Sequence, residues 1–551
     1  MKKIPLAFAV LILAAMFPAR ATPTYSRIDA MVPMSDGVAI DASLYLPAHP
    51  ILMANGKIPI IVRQHGGGSN KNSPYDVLYG LKYVETGKFA LLMYSVRGHG
   101  NSGGLFDFFG PRTTQDFSEM LNWVARTKGS EVDTNDVGAS GISQGGGESL
   151  LPTENDARVK AVGVGNTFDD LNHALNPNDC FKFAFATGIF VGAYTATATK
   201  VDESLPVRWG SQFYTGTQDV GAGPVPSTTD DLHSRSPLTY IHGNPDRTAT
   251  MYRNGLHVPV FWMQSYEDQL FPPNLPLSIL NDLRARHIPV HLWYSSGGHA
   301  AGPDFMADQQ AKEAAMLGWM DEFLRGADHG YRTTDAHPLP RVDYWERVGP
   351  GQPGTWTHHT APTWPVANYA AHLYPNGSDL SPRAPAAGAD EGTITNDLAS
   401  ANFAHDSISQ EIVERDAHVP TGILESFPEN PNPLDTVRYT SVPLTQPLHV
   451  VGPAHIHLPV TTTARMVAQV SAKLWDVSAT GEQLIARGCR SFETPKSPFD
   501  FDLWPSAHTF AAGHRIVLSI STVDYPTFEP DMEPQQTTIL PGARLDLPIA
   551  R

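Results

Sequence analysis

Gly141-Ile142-Ser143-Gln144-Gly145 sets a serine between two glycines. That pattern suits a strained strand-to-helix turn, because side chains at the flanking positions would meet the neighbouring strand and helix. Such a turn lifts the hydroxyl out of a sheet and puts a helix N-terminus beneath it, where developing negative charge is favoured. The chemistry it permits is attack by the Ser143 hydroxyl on a carbonyl carbon. A serine hydroxyl is a weak nucleophile, so a base must take its proton and a carboxylate must orient that base. His299, in Gly297-Gly298-His299-Ala300, stands just after the apolar run Ile288–Trp293, and this position selects it among 22 histidines. The run Val258–Met263 leads into Ser265-Tyr266-Glu267-Asp268-Gln269, which offers two carboxylates, Glu267 and Asp268.

The intermediate of such an attack carries its charge on oxygen and needs donors aimed there. The backbone N–H of Gln144, next after the serine, is one candidate. The second is expected in His65-Gly66-Gly67-Gly68, where glycine leaves the N–H unshielded. Gly67 is the first choice there and Gly66 the second, against the plainer reading of a glycine-rich turn. Trp262 and Phe271 are candidates for the wall of an acyl pocket, although aromatics late in a strand more often belong to the core. Phe181, Phe183, Phe190 and Tyr194 are open between core and substrate wall in the same way.

The elements that must hold these residues alternate in type. Ile58–Arg63, Phe89–Tyr94, Val137–Ala139, Val159–Val164, Val258–Met263 and Ile288–Trp293 read as strands buried on both faces, as in a parallel sheet. Phe117, Met120, Leu121 and Val124 recur at helical spacing, and so do Ala315, Trp319 and Phe323 in an expected helix over Ala311–Leu324. Strand and helix in alternation argue for a doubly wound α/β domain. The alternation fails between Thr167 and Arg253, a stretch with a Gly/Pro/Ser/Thr-rich loop at Thr215–Thr229, which reads as an inserted cap. Beyond Gly326 helix patterns give way to short alternating segments such as His455–Val460, Val467–Leu474 and Ile516–Ile520, the pattern of a β-sandwich.

Lys2 and Lys3, the apolar run Ile4–Phe17 and Ala19-Arg20-Ala21 have the layout of a secretory signal with cleavage after Ala21. The run is shorter than the roughly 18–20 residues of a spanning helix, so no stable membrane anchor is expected. The mature protein is then exported, periplasmic or secreted. With 39 Lys plus Arg against 56 Asp plus Glu and no basic stripe, nucleic acid and anionic membrane are excluded as partners. Cys180 and Cys489 are the only cysteines. An oxidising compartment permits a bridge between them, but they fall in different expected domains, and two small buried thiols are the blander reading. His358-His359 and His455-x-His457 lack a third ligand at matching spacing, so neither a metal nor another cofactor is expected.

Taken together these residues resemble the CocE/NonD hydrolases, the superfamily of cocaine esterase, α-amino-acid ester hydrolases and X-Pro dipeptidyl-peptidases. The resemblance runs over nearly the whole mature chain. Val32–Pro47 is similar to the family's opening hairpin, Tyr94–Gly104 to its D-x-R-G-x-G-x-S-x-G segment, and Gly318–Gly326 to its closing helix. Ala512–Pro526 is similar to a stretch of its C-terminal jelly roll. Tyr266-Glu267-Asp268-Gln269-Leu270-Phe271-Pro272 resembles the loop whose aspartate is the acid, which selects Asp268 and leaves Glu267 as a solvated or supporting carboxylate. The resemblance implies an α/β-hydrolase domain (22–166 and 254–330) with an inserted, helical cap (167–253), then a jelly-roll β-sandwich (331–551), after a signal peptide (1–21).

There are departures. Relatives like cocaine esterase use a tyrosine hydroxyl as second oxyanion donor in a segment resembling R-x-P-Y, whereas this chain has Arg63-Gln64-His65-Gly66. A backbone donor is the expected substitute, with Tyr75 near in sequence as the alternative. Gln269-Leu270-Phe271 lacks the extra acidic residues with which amino-acid ester hydrolases hold an ammonium. The favoured activity is hydrolysis of a small carboxylic ester, or an amide, through an acyl-enzyme. A dipeptidyl-peptidase acting on short peptides is the rival, with Glu267 or Asp169-Asp170 as the acidic partner of a free N-terminus. A non-catalytic carbohydrate-binding protein built on the sandwich is a third, more distant reading. Oligomeric state is not legible in the sequence.

Overall fold

The computed structural model describes residues 24–182, 186, 194–214, 227–246, 248–299, 306–332, 341–349, 355–385, 391–396, 436–465, 467–493, 497–522, 524, 527–528 and 534–550. The expected signal segment, Phe183, Phe190 and most of the Thr215–Thr229 loop lie outside the described residues. Tyr25–Pro33 (β1) and Ala39–Pro47 (β2) form an antiparallel hairpin with Val32 opposite Ile40. Six strands then run parallel: Ile58–Gln64 (β3), Ala90–Tyr94 (β4), Val132–Ile142 (β5), Val159–Gly165 (β6), Val260–Ser265 (β7) and Val290–Ser295 (β8). With β2 antiparallel to β4, the order across the sheet is β1-β2-β4-β3-β5-β6-β7-β8.

Five helices cover the two faces: Pro74–Glu85 (α1), Pro111–Lys128 (α2), Gln144–Leu150 (α3), Pro276–Ala285 (α4) and Met306–Arg325 (α5). Successive strand residues point to opposite faces, and each face has its own core. Ile60, Val62 and Leu92 pack with Phe117, Met120, Leu121 and Val124 of α2, while Ile61, Leu91 and Met93 pack with Trp319 and Met320 of α5. The α2 stripe is the expected one, and all four of its residues are fully buried. Burying each stabilises the fold by roughly 1.5–3 kcal/mol against leaving it exposed. On α5 the buried stripe is Met316, Trp319, Met320 and Leu324, turned slightly from the expected Ala315, Trp319 and Phe323.

Between β6 and β7 the chain makes the cap, whose described helices are Leu171–Leu175, Tyr194–Ala196, Ser204–Tyr214 and Thr228–His233. Asp170 caps the first of these through the Asn172 and His173 N–H groups. Its other oxygen accepts from His233 Nδ1 at 2.5 Å, tying the first helix to the last.

The C-terminal region is a sandwich. One inner face carries Val450, Ile456, Phe501, Phe510, Leu545 and Leu547, and the other Tyr439, Val470, Ala472, Leu474, Leu518 and Ile520. Arg341–Gly349 (β9) lies in the stretch that the sequence assigns to this sandwich, yet it runs parallel to β8 and antiparallel to Thr355–Ala361. The first sheet thus continues into the second. One expectation is corrected here. Cys180 and Cys489 are not two separate thiols: they form a disulfide, packed with Trp504 and Phe528. The reason is tertiary, because the cap lies against the sandwich strand Gly481–Glu493, where Asn178 Nδ2 also donates to the Cys489 carbonyl at 3.1 Å.

Candidate active site

Ser143 sits at the junction of β5 and α3 with φ 60° and ψ −127°, a backbone conformation that L side chains rarely adopt. The glycines around it are required by space. A Cβ at Gly141 would lie 2.2 Å from the Gly145 carbonyl oxygen, and one at Gly145 would lie 2.4 Å from that of Gln64. The turn is held by Ser143 N–H to Gly165 O at 3.0 Å and by Thr167 Oγ1 donating to the Ser143 carbonyl at 2.8 Å. Gln144, as the first residue of α3, has an N–H without an intrahelical acceptor.

The loop after β8 brings His299 to the serine, with Nε2 2.8 Å from Ser143 Oγ. Its Nδ1 is 2.9 Å from Asp268 Oδ2, in the loop after β7. Asp268 is fully buried, and its Oδ1 accepts from the N–H groups of Leu270 and Phe271, each at 2.9 Å. With Nδ1 donating to the carboxylate, Nε2 is left to accept the serine proton. Such a series makes a hydroxyl nucleophilic at neutral pH. Glu267 turns away, and its Oε2 accepts from Gly297 N–H at 2.8 Å, bracing the histidine loop.

Gly67 lies beside Gln144: a Cβ on it would be 3.4 Å from both Gln144 Oε1 and the Tyr194 hydroxyl. Tyr194 reaches in from the cap and donates to Gln144 Oε1 at 3.1 Å. His65 anchors the glycine loop, accepting from Val96 N–H on Nε2 at 3.0 Å and donating from Nδ1 to Gly66 O at 2.8 Å. Burial pushes the pKa of His65 below the usual imidazole range. Burial, with His65 as neighbour, pushes His99 down to about 3. Both rings therefore stay neutral around the serine turn.

The other site candidates separate. Phe271 packs its ring edge against His299 at 5.2 Å. Trp262 is fully buried in β7, where its Nε1 donates to Gln264 and Gln264 in turn donates to the Phe271 carbonyl, so it supports the acid loop from the core instead of lining a pocket. Tyr75, on the first turn of α1, packs against Tyr79 with tilted rings 4.4 Å apart and is 41% exposed. Asp169 pairs with His173 and Asp170 with His233, so both carboxylates are occupied inside the cap. His358 and His359 pair with Asp343 and Glu346, and His455 and His457 with Asp502 and Asp500. Among the described residues no cluster of three or more His, Cys, Asp or Glu is arranged to hold a metal.

Sequence reasoning missed Asn166. Its Oδ1 accepts from Ser265 N–H at 2.9 Å, and its Nδ2 lies 3.3 Å from Gly298 O and 3.2 Å from His299 O. One side chain thereby joins β6, the acid strand and the histidine loop. Its only signal is a left-handed-tolerant residue directly after a strand, which is too common to single out.

A serine on a strained turn at the C-terminal edge of a parallel sheet, followed in chain order by an acid and a histidine, defines a serine hydrolase of the α/β-hydrolase class. The family model of the X-Pro dipeptidyl-peptidase (S15 family) matches residues 36–301, and that of the X-Pro dipeptidyl-peptidase C-terminal non-catalytic domain matches residues 334–546. The chain belongs to the X-Pro dipeptidyl-peptidase family that these two models together describe. Among solved structures, an α-amino acid ester hydrolase is similar over 97% of this chain and 98% of its own, at 17% identity and TM-score 0.70. An aminopeptidase from a marine-sediment Thaumarchaeota archaeon is similar over 97% and 99%, at 16% identity and TM-score 0.69. A CocE/NonD family hydrolase from Staphylococcus aureus covers 96% and 94%, at 13% identity and TM-score 0.63. At these identities the likeness is one of fold. No curated protein sequence matches the chain.

Proposed function

We propose that the chain is an exported esterase that cleaves a small carboxylic ester through an acyl-enzyme on Ser143. The observation that carries this reading is the unbroken series from Ser143 Oγ through His299 to Asp268, at 2.8 and 2.9 Å. In the first step Ser143 Oγ bonds to the carbonyl carbon as its proton passes to His299 Nε2, and the carbonyl π electrons move onto oxygen. Gln144 N–H and an N–H of Gly67 or Gly66 receive that oxyanion. Collapse expels the alcohol, which takes the proton from His299. Water then repeats the sequence and releases the acid. Asp268 keeps its charge throughout and stabilises the imidazolium. The disulfide supports export, since such bonds persist in oxidising compartments.

The rival is release of N-terminal dipeptides, and the name of the matched family favours it. A dipeptidyl-peptidase must hold a free ammonium, yet Glu267, Asp169 and Asp170 each have a partner within the fold. That favours the ester. The test is turnover of a short-chain activated ester and an X-Pro anilide by the mature protein and by Ser143→Ala. Ester turnover lost in the variant supports the proposal, and anilide turnover at a comparable rate transfers it to the peptidase. A variant as active as the wild type would remove Ser143 from the mechanism.

A further inference from the structure

Lys182 is fully buried, which is rare for a lysine and costly unless its ammonium is well satisfied. It follows Cys180 by two residues at the point where cap, acid loop and sandwich meet. Its Nζ donates to the Ala174 carbonyl of the cap at 3.0 Å and to the Leu270 carbonyl of the acid loop at 2.6 Å. From the sandwich, the Trp504 ring lies 5.9 Å away, within reach of a cation–π contact. Thr527 of the sandwich adds a second tie to the same loop, donating to Gln269 Oε1 at 3.3 Å.

The contact with Leu270 matters because of what shares its peptide group. The Leu270 carbonyl and the Phe271 N–H are the two ends of one amide, and that N–H donates to Asp268 Oδ1. A cation on the oxygen polarises the amide and strengthens its N–H as a donor. The series runs Lys182 Nζ, Leu270 C=O, Phe271 N–H, Asp268, His299, Ser143, with distances of 2.6, 2.9, 2.9 and 2.8 Å at its four hydrogen bonds. We propose that Lys182 is a positioning residue for the hydrolysis: its ammonium fixes the Leu270–Phe271 peptide and, through it, the carboxylate of Asp268. The inference rests on the reading of Asp268 as the acid of the Ser143 site. It assigns the cap and the sandwich a shared part in the chemistry, since each contributes to the setting of the ammonium.

The test is a double-mutant cycle on full-length protein, Lys182→Met against Asp268→Asn, with turnover of an activated ester expressed per site titrated to completion by a fluorophosphonate. Lys182→Met is expected to lower kcat per titrated site by about 10-fold or more with KM changed less than about threefold, the size expected when a reacting group is misplaced by a fraction of an ångström. In the Asp268→Asn background the same substitution is expected to cost less than about twofold, because the two residues act along one path. A purely structural role lowers the number of titratable sites but leaves the turnover of each unchanged, and that result overturns the proposal. So does an equal cost in both backgrounds. If Lys182→Met does not fold, Lys182→Gln, which keeps a donor for the carbonyls without the charge, enters the same cycle under the same criteria. Undiminished turnover by Asp268→Asn alone would instead overturn the reading of the acid, and the inference with it, whereas a large loss in Asp268→Asn beside none in Lys182→Met overturns the inference only.

Discussion

Cys180 in the cap and Cys489 in the sandwich are bonded across 309 residues of chain. A cross-link over so long a loop restricts the unfolded chain strongly, and removing a native disulfide typically costs about 2–4 kcal/mol. Reduction is therefore expected to lower the apparent melting temperature, and Cys489→Ser to lower it by a similar amount with no further response to reductant. Melting curves with and without dithiothreitol check this. A variant that melts with the oxidised wild type would show that packing with Trp504 and Phe528 alone holds the cap in place.

Gly67 is placed beside Gln144 with room for a methyl group at ordinary contact distance. Gly67→Ala keeps the backbone N–H and is expected to retain activity within about tenfold. Gly67→Pro removes the N–H and is expected to lose about 100- to 1000-fold in kcat, the cost of one oxyanion donor. Steady-state kinetics on an activated ester decides the point. Equal losses in the two variants would assign the second donor elsewhere, with Gly66 the next position to change.

The parallel sheet is legible because β3, β4 and β6 to β8 are continuous apolar runs, and their observed bounds differ by at most two residues from the expected ones. The serine turn was legible because only glycine fits at 141 and 145. What escaped depends on residues far apart in the chain. The Cys180–Cys489 bond, the His233–Asp170 tie and the Lys182–Leu270 contact each join segments whose approach no local pattern encodes. Trp262 shows the converse limit, since a strand aromatic next to the acid loop reads alike whether it faces substrate or core. β9 pairs both with β8 and, at Arg347, with the sandwich strand Ser506–Phe510, a double membership that strand patterning does not encode.

His233 gives the cap a pH dependence. Its hydrogen bond to Asp170 raises the imidazole pKa above the ordinary 6.5. A pKa raised on folding contributes stability that is fully present below the unfolded value of about 6.5 and is lost as pH rises through the higher folded value. The ring is partly exposed, so solvent screening keeps the effect small. The expected outcome is a melting-temperature gap between wild type and His233→Gln that is widest near pH 5.5 and shrinks toward about pH 8.5. A gap that widens with pH would mean the pair acts as a neutral hydrogen bond and not as an ion pair.

Asn166 tests how far the histidine loop depends on its support. Its backbone is left-handed at φ 42°, a conformation that asparagine tolerates and alanine resists by roughly 1–2 kcal/mol. Its side chain also holds Ser265, Gly298 and His299 at 2.9 to 3.3 Å. The two contributions separate by substitution. Asn166→Gly removes the side-chain bonds but suits the backbone, whereas Asn166→Ala removes the bonds and adds the strain. Stability is therefore expected in the order wild type, glycine, alanine, with the bonds contributing about 1–3 kcal/mol. If the side chain sets the position of His299, kcat falls by a similar factor of about 10–100 in both variants, because both lose the same bonds. A kcat that is normal in Asn166→Gly and depressed only in Asn166→Ala would instead place the whole effect in the backbone turn after β6.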